Sequence, residues 1–356
     1  MTGFSSYRRP PNTRRIKIMS AWLFSVAAMV FVMIVIGGLT RLTHSGLSMV
    51  EWKLFTGWIP PLSETDWELL FSKYQNFPEF HKKNPDMTVD GFKSIFWLEF
   101  IHRFWGRLIG LAFFIPYALF LTRSWFRPGD ALFWKLTGLF ALGGAQGLMG
   151  WFMVISGMVD HPDVSQYRLT AHFALALLII AALLWVGLSL IKPEPQSDTH
   201  QDIGWLGGVK VWMFLLISLT AVSGGFVAGT DAGFVFNTFP LMDGEIIPGG
   251  LYDLSPFWKS AFEDITTIQF NHRVLAESVL VVVTVFWFFS RRMHLAPTTR
   301  LAINWLGFAT IAQVMLGITT LLLVVPVWAA SLHQAGAVVV FSACLWAVFE
   351  MRGSRG

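Results

Sequence analysis

Eight apolar stretches dominate this sequence, and each is long enough to cross a lipid bilayer as an α-helix, which takes about 20 residues. Their approximate bounds are 19–38, 95–121, 131–156, 169–191, 211–229, 268–289, 301–325 and 328–349. Only 13% of the residues are charged, about half the share found in soluble domains. We therefore predict an all-α integral membrane protein with eight transmembrane helices in the lipid bilayer. The net charge of +4 gives no indication of nucleic-acid binding.

The positions of Lys and Arg predict how the chain crosses the membrane, because short cytoplasmic connections are enriched in these residues. They occur in both tails and between the second and third, fourth and fifth, and sixth and seventh stretches. With eight crossings, all these segments fall on one side, so both termini are predicted to be cytoplasmic. The two tails and the central linker are residues 1–18, 350–356 and 192–210, and the long outer segments are 39–94 and 230–267.

The first apolar stretch follows a basic tail, as the apolar part of a secretory signal peptide would. It continues into residues 37–41 (GGLTR) without a small-residue cleavage site, so we expect it to be a retained helix. The tail has no long transit sequence, which favours a bacterial inner (plasma) membrane over a mitochondrion. The single cysteine, Cys344, excludes an internal disulfide, a cysteine-based zinc site and an iron–sulfur cluster.

The two halves of the chain repeat each other's motifs. The corresponding segments are 99–103 (EFIHR) and 269–273 (QFNHR), 145–150 (AQGLMG) and 312–317 (AQVMLG), and Gly37-Gly38 and Gly224-Gly225. Because each half contains four apolar stretches, both halves cross the membrane in the same direction, as in a parallel repeat. The sequence therefore predicts two pseudo-symmetric four-helix bundles, residues 19–191 and 211–349, side by side.

Four histidines lie near the starts of the even-numbered stretches, where they would share one depth below the outer surface. They are His102, His172, His272 and His333. Two imidazoles from facing helices suit the two axial positions of a haem iron, whereas zinc needs three or four converging ligands. Near a helix N-terminus, the dipole also keeps an imidazole neutral and able to bind metal. The alternative is that each histidine only forms a hydrogen bond to a neighbouring helix.

The acidic residue Glu99 distinguishes the two halves. It precedes His102 by three residues, so both side chains are expected on one helix face, and its counterpart in the second half is Gln269. A group that can transfer a proton is therefore predicted only in the first half, which favours a reacting site there and an electron-transfer or structural site in the other half. Alternatively, Glu99 forms an ion pair with Arg103 or Arg107.

Several arginines are predicted near the level of the histidines. They are Arg41, Arg103, Arg107, Arg168 and Arg273. A haem carries two propionates, and the arginine guanidinium binds carboxylates through two parallel hydrogen bonds. Contact with lipid headgroups is the competing interpretation for each residue.

The chain resembles the haem A synthase family, the cytochrome oxidase assembly proteins, from about residue 30 to 349. The segments that carry this resemblance are 37–49 (GGLTRLTHSGLSM), 99–103 (EFIHR), 271–273 (NHR) and 333–334 (HQ). It implies an eight-helix fold and oxidation of the C8 methyl of haem O, by successive hydroxylations, to the formyl of haem A. Some relatives carry a cysteine pair in an outer loop, so this chain resembles the class without it.

The resemblance also implies roles for the residues singled out above. His272 and His333 would hold the iron of a haem b. His102 and His172 would flank the substrate haem O, with Glu99 as a catalytic group. The implied partners are haem O synthase and cytochrome oxidase assembly factors, while the sequence leaves open whether the chain forms a homo-oligomer.

Two other classes of protein fit parts of the pattern. A dihaem membrane cytochrome b, passing electrons between quinol and a partner, would also use four buried histidines, although unequal halves are less needed there. A transporter would have a parallel repeat, but it predicts helices broken near the membrane midplane, which the Gly and Pro positions do not indicate. Because the chain has no nucleotide-binding motif, electrons are expected from quinol or a redox protein.

Overall fold

The structure is a computed structural model that describes residues 13–51, 57–157, 164–193 and 206–352. Within these ranges it contains no β-strand, only one isolated bridge between Met242 and Glu245. The α-helices are α1 (Thr13–Leu42), α2 (Glu64–Tyr74), α3 (Pro78–Lys83), α4 (Val89–Thr122), α5 (Ala131–Gly157), α6 (Gln166–Ile191), α7 (Leu206–Gly229), α8 (Ser260–Glu263), α9 (Ile265–Ser290), α10 (Pro297–Leu322) and α11 (Val327–Glu350). The predicted all-α class is confirmed.

Seven helices of the described part of the chain are long and apolar enough to cross a membrane, namely α1, α4, α6, α7, α9, α10 and α11. The chain is therefore a multi-pass membrane protein, as predicted. The 27-residue helix α5 occupies the third predicted stretch but is not among the seven. The eighth crossing therefore stays a prediction.

Helix α4 begins at Val89, six residues before the predicted stretch, because a small outer cluster extends it. Thr88 caps its first turn by accepting a hydrogen bond from the Gly91 backbone at 3.3 Å. The aromatic side chains of this cluster pack α2 and α3 against the outer end of α4, and they are Trp67, Phe71, Tyr74, Phe92, Phe96 and Phe100. The prediction that His102 lies near the start of this helix is therefore wrong, since thirteen helical residues precede it.

The outer helix α2 is fixed at its start by a capping box. The Ser63 hydroxyl accepts a hydrogen bond from the Asp66 backbone at 3.2 Å, while the Asp66 carboxylate accepts one from the Ser63 backbone at 3.1 Å. The hydrogen bonds from Ser63 hold the pKa of Asp66 below its ordinary value. A helix of eleven residues needs such support, because it is too short to be stable by itself.

Other helix ends also differ from the prediction, among them α1, which spans Thr13–Leu42 rather than 19–38. Helix α10 ends at Leu322 rather than 325, because Val324 and Val325 adopt positive φ angles of 58° and 54°, which a right-handed helix cannot contain. Helix α7 begins at Leu206, so Lys210 lies within the helix and not in the connection before it.

The long helices pack in two sets of four. In the first set α1 and α5 each contact α4 and α6, and in the second set α7 and α10 each contact α9 and α11. The two sets meet along α1, α6, α7 and α11, and we call this contact region the seam. Near one end of it, the hydroxyl of Ser20 in α1 donates to the carbonyl of Gly187 in α6 at 3.2 Å. Because Ser20 is early in α1 and Gly187 late in α6, these helices are antiparallel.

Ion pairs join the two sets at opposite ends of the seam. At one end, Arg41 in the last turn of α1 donates to Asp231, just after α7, at 3.0 Å. At the other end, Lys192, just after α6, donates to both carboxylate oxygens of Glu350 in α11 at 2.8 and 2.9 Å. Each pair combines a cation of the first set with an acid of the second.

Candidate functional site

Each of the four histidines lies against a glycine of the preceding long helix. The pairs are His102 with Gly37, His172 with Gly150, His272 with Gly224 and His333 with Gly317. A Cβ at these glycines would lie only 2.8 to 3.3 Å from an imidazole atom. The missing side chains therefore let the rings enter the spaces between helices, and all four histidines stay partly exposed. The glycines appeared in the repeated motifs, but their contact with histidine could not be inferred from spacing alone.

The histidines do not all lie at the same distance from a helix start. His172, His272 and His333 are six or seven residues from the first residues of their helices, as expected. His102 is thirteen residues after Val89, or about 20 Å along the axis at 1.5 Å per residue. The helix-dipole argument therefore fails for His102 and contributes little at the other three histidines, because the effect falls off within the first turn.

His272 and His333 face each other across the second set of helices. Their ring centroids are 6.5 Å apart and the ring planes are nearly perpendicular, at 88°. If each ring bound one shared metal ion through a nitrogen about 2 Å away, the ring centres would be roughly 6 Å apart. The observed separation therefore fits two axial ligands of one iron.

The outward-facing nitrogens of these two rings are already in contact with protein groups. Nδ1 of His272 lies 2.7 Å from the Ser223 hydroxyl, and Nδ1 of His333 lies 3.0 Å from the Gln313 side-chain nitrogen. Gln313 also donates to the His333 backbone carbonyl at 2.8 Å. Within the described residues neither Nε2 atom has a hydrogen-bond partner. On His272, Nε2 is the nitrogen left for a metal when Nδ1 donates to Ser223; on His333, this requires the Gln313 amide to be turned so that its oxygen accepts a hydrogen from Nδ1, because an amide N–H on Nδ1 leaves the ring hydrogen on Nε2.

The histidines of the first set are held less firmly. Gln146 occupies the place of Gln313, donating to the His172 backbone carbonyl at 3.1 Å and lying 3.3 Å from Nε2 of the ring. Nδ1 of His172 is buried without a hydrogen-bond partner, and His102 forms no hydrogen bond within the described ranges. In both sets a glutamine thus contacts one of the two histidines, but the imidazoles of the first set have fewer or longer hydrogen bonds.

Glu99 is buried, at 3% exposure, and its carboxylate accepts a hydrogen bond from Nε of Arg103 at 2.6 Å. The other guanidinium nitrogens of Arg103 donate to the backbone carbonyls of Glu51 and Met49 at 3.0 and 2.9 Å. The structure therefore contains the ion pair that the sequence offered as an alternative. This pairing fixes the carboxylate in place and ties α4 to the first outer segment.

Arg273 has the place of Arg103 in the second set, and Gln269 that of Glu99. The two terminal nitrogens of Arg273 donate to the backbone carbonyls of Phe236 and Thr238 at 2.7 and 2.8 Å. Nε of Arg273 is buried, with no hydrogen-bond partner in the described part of the chain. An unpaired buried guanidinium N–H is suited to a carboxylate, so a propionate contact stays a prediction for Arg273.

The other three arginines predicted as propionate contacts also have protein contacts. These are Arg41 with Asp231, Arg107 with the ring of Trp58 and Arg168 with the ring of Phe152. A guanidinium has five N–H donors, so these contacts leave donors available. The propionate role stays a prediction for all three.

Three polar residues of the site were not recognised as such from the sequence, namely Gln146, Gln313 and Ser223. The two glutamines were visible as the repeated Ala-Gln pair, although nothing in the sequence placed them beside histidines. Within the described residues no three His, Cys, Asp or Glu side chains converge into a metal cluster. Fold and site thus define a multi-pass helical membrane protein with paired histidines between its helices.

Comparison with known proteins agrees with this class. The family model described as cytochrome oxidase assembly protein matches residues 20–345. The haem A synthase of Nitrosospira multiformis is 48% identical over 336 residues, which cover 94% of each chain. That of Paramagnetospirillum magneticum is 50% identical over 335 residues, or 93% of each chain. That of Bos taurus is 42% identical over 348 residues, or 96% of this chain and 84% of the relative. The chain belongs to the haem A synthase family, as the sequence motifs predicted.

Proposed function

We propose that the protein is a haem A synthase, an oxidoreductase that oxidises the C8 methyl of haem O to the formyl group of haem A. The single observation that carries this proposal is the His272–His333 pair, whose ring separation of 6.5 Å fits one iron in a chain that belongs to this family. Two hydroxylations of one carbon followed by loss of water yield a formyl group, so the site must hold its substrate through successive steps.

The second set of helices holds the resident cofactor, a haem b bound through Nε2 of His272 and His333. When bound, a haem b supplies one-electron transfer. The protein's part is to orient the two imidazoles through Ser223 and Gln313 and to offer Nε of Arg273 to a propionate. The apolar helices around the pair exclude water.

The first set of helices binds the substrate haem O between His102 and His172. Gly37 and Gly150 leave room for these rings, and the weaker hydrogen bonding of both imidazoles suits a molecule that must enter and leave. Glu99 is the group that accepts or delivers a proton as the hydroxylated substrate loses water. Arg103 holds its carboxylate through the 2.6 Å hydrogen bond.

The architecture that goes with this function has eight crossings arranged as a parallel repeat. Helix α5 is the eighth, since its 27 residues reach about 40 Å and it packs against α4 and α6. The repeat is supported by the four histidine–glycine pairs and by the matching contacts of Gln146 and Gln313. The first half is 19–191 and the second 211–349, with 192–210 as linker, in a bacterial inner membrane with both termini cytoplasmic.

The partners follow from the substrate and the electron balance. Haem O is apolar and reactive, so direct transfer from haem O synthase avoids its release, and haem A passes to cytochrome oxidase through assembly factors. With O2 as the oxidant, each hydroxylation uses two electrons and two protons and releases one water. The electrons come from quinol or a redox protein and cross the seam to the reacting half.

A dihaem cytochrome b that only carries electrons is the second candidate. The observation in its favour is that all four histidines have the same glycine-backed setting. The observation against it is Glu99, which forms a buried ion pair where the second half has the uncharged Gln269.

Haem extraction separates the two candidates. Cells that make haem O are grown with and without this protein, and their haems are resolved by reverse-phase chromatography. A haem A peak that requires the protein, and that disappears with His102→Ala, supports the synthase. If only haem O and haem B are found while the purified protein carries haem, the electron-carrier function replaces it.

A further inference from the structure

The hydroxyl of Ser223 lies between two partners in the second set of helices. Its oxygen is 2.7 Å from Nδ1 of His272, and it donates to the backbone carbonyl of Thr220 at 2.8 Å. A serine hydroxyl has one hydrogen, which the Thr220 carbonyl takes. Both contacts are therefore satisfied only if Nδ1 of His272 carries a hydrogen and donates it to Ser223, which leaves the lone pair of the neutral ring on Nε2.

The matching position of the first set has no such group. Gly37 lies against His102 as Gly224 lies against His272, and the residue before Gly37 is Ile36, where Ser223 precedes Gly224. An isoleucine side chain cannot form a hydrogen bond. His102 also turns a different edge to its glycine, with Nε2 nearest Gly37, whereas Cε1 of His272 is nearest Gly224.

We propose that Ser223 is a positioning residue that fixes His272 for permanent iron binding, and that Ile36 leaves His102 unfixed so that the haem bound there can exchange. This inference rests on the proposed function of the two sites. It gives a physical reason why one half of a duplicated framework keeps a cofactor while the other releases a product. Ser223 and Ile36, one on the first helix of each half, contribute to this difference.

The size of the effect follows from other metal sites. Removing the group that accepts the second hydrogen of a ligating histidine lowers metal affinity by about 10- to 100-fold, because ring orientation and ligand basicity are both lost. A less basic histidine also stabilises ferric iron less, so the midpoint potential of the haem becomes more positive. A purely structural role of Ser223 would leave that potential unchanged.

The first experiment measures haem b in the purified full-length protein with Ser223→Ala, Ser223→Thr and Ser218→Ala. Ser218 is a matched control on the same helix, since its hydroxyl donates to Phe214 at 2.7 Å and has no contact with histidine. We expect about 10- to 100-fold faster transfer of haem b to apomyoglobin and a more positive potential for Ser223→Ala only. Behaviour of Ser223→Ala identical to that of Ser218→Ala would overturn the proposal.

The reverse change tests the first half. In a His272→Ala background, which leaves only the first pair of histidines, Ile36→Ser is expected to slow haem release, while Val32→Ser on the lipid-exposed side of α1 does not. Equal release from both variants would contradict the role of Ile36.

Failure of the underlying assignment gives a different result. If His272→Ala leaves the low-spin haem spectrum of the protein unchanged, the cofactor site itself is misplaced. If that variant loses the spectrum but Ser223→Ala changes neither release rate nor potential, only the role of Ser223 is lost.

Discussion

Gln313 and His333 are joined twice across the contact between α10 and α11. The side-chain nitrogen of Gln313 donates to the backbone carbonyl of His333 at 2.8 Å and lies 3.0 Å from its ring Nδ1. One side chain thus fixes both the helix that carries the histidine and the orientation of its ring. Gln146 donates to the backbone carbonyl of His172 in the same way at 3.1 Å, but its side-chain nitrogen lies 3.3 Å from the other ring nitrogen, Nε2.

Replacing Gln313 by Ala is expected to weaken the second haem site. Without the amide, the His333 ring can rotate, and we expect haem b affinity to fall by about 10- to 100-fold. The measurement is the ratio of low-spin haem to protein after purification. Gln146→Ala is the control, since it belongs to the other site and should leave this ratio unchanged. Equal ratios in both variants would show that Gln313 does not hold the ligand.

Adding a methyl group to Gly317 should push His333 out of place. A Cβ there would lie 2.8 Å from Cε1 of the ring, closer than such atoms approach in proteins, whereas nothing lies within 4 Å of a Cβ at Gly147. Gly317→Ala is therefore expected to lose haem b and Gly147→Ala to keep it, as measured by the pyridine haemochrome assay. Full haem content in Gly317→Ala would mean that the helices move apart at little cost.

Replacing Glu99 by Gln should stop haem A formation without unfolding the protein. The second half already combines Gln269 with Arg273 at the matching positions, so an amide beside this arginine is compatible with the fold. We expect Glu99→Gln to retain haem b and to accumulate haem O or a partly oxidised product, as seen by chromatography of extracted haems. If haem A production is unchanged, Glu99 has no role in proton transfer.

Replacing Glu350 by Gln should destabilise the protein. Its carboxylate accepts hydrogen bonds from Lys192, Thr298 and Trp346, and its side chain is only 3% exposed. Loss of the charge leaves Lys192 without its acid, at a cost of about 1–3 kcal/mol. The apparent unfolding midpoint in detergent should fall, while Glu64→Gln, in an ion pair on the outer surface, should change it little. An equal effect of the two variants would refute this role.

The sequence predicted the long helices, because their length and apolar character follow from the need to cross a bilayer. The helices lie close to the predicted stretches, and the His272–His333 pair was placed correctly on facing helices. What it could not predict depends on contacts between distant segments. The start of α4 is set by aromatic packing on α2, so the distance of His102 from the start of its helix was misjudged.

The sequence also could not predict which side chains pair with each other. Arg41 reaches Asp231 across 190 residues, a contact that no spacing rule indicates. The sequence also gives no sign that Ser223 is part of the site. Its hydroxyl contacts His272 only because α7 packs against α9. Which side chains form hydrogen bonds inside a helix bundle depends on how each helix is rotated about its axis. The sequence does not predict this rotation accurately enough to identify the partner residues.

The ion pairs at the two ends of the seam set this protein apart from carriers that work by rocking. In such carriers one membrane face opens while the other closes, which requires the halves to tilt. Here Arg41–Asp231 and Lys192–Glu350 fasten both faces at once, so tilting would break a pair at whichever end opened. We therefore expect the distance from one histidine pair to the other to change little through a reaction cycle. An electron crossing the seam would meet the same tunnelling barrier whether the first half holds substrate, product or neither.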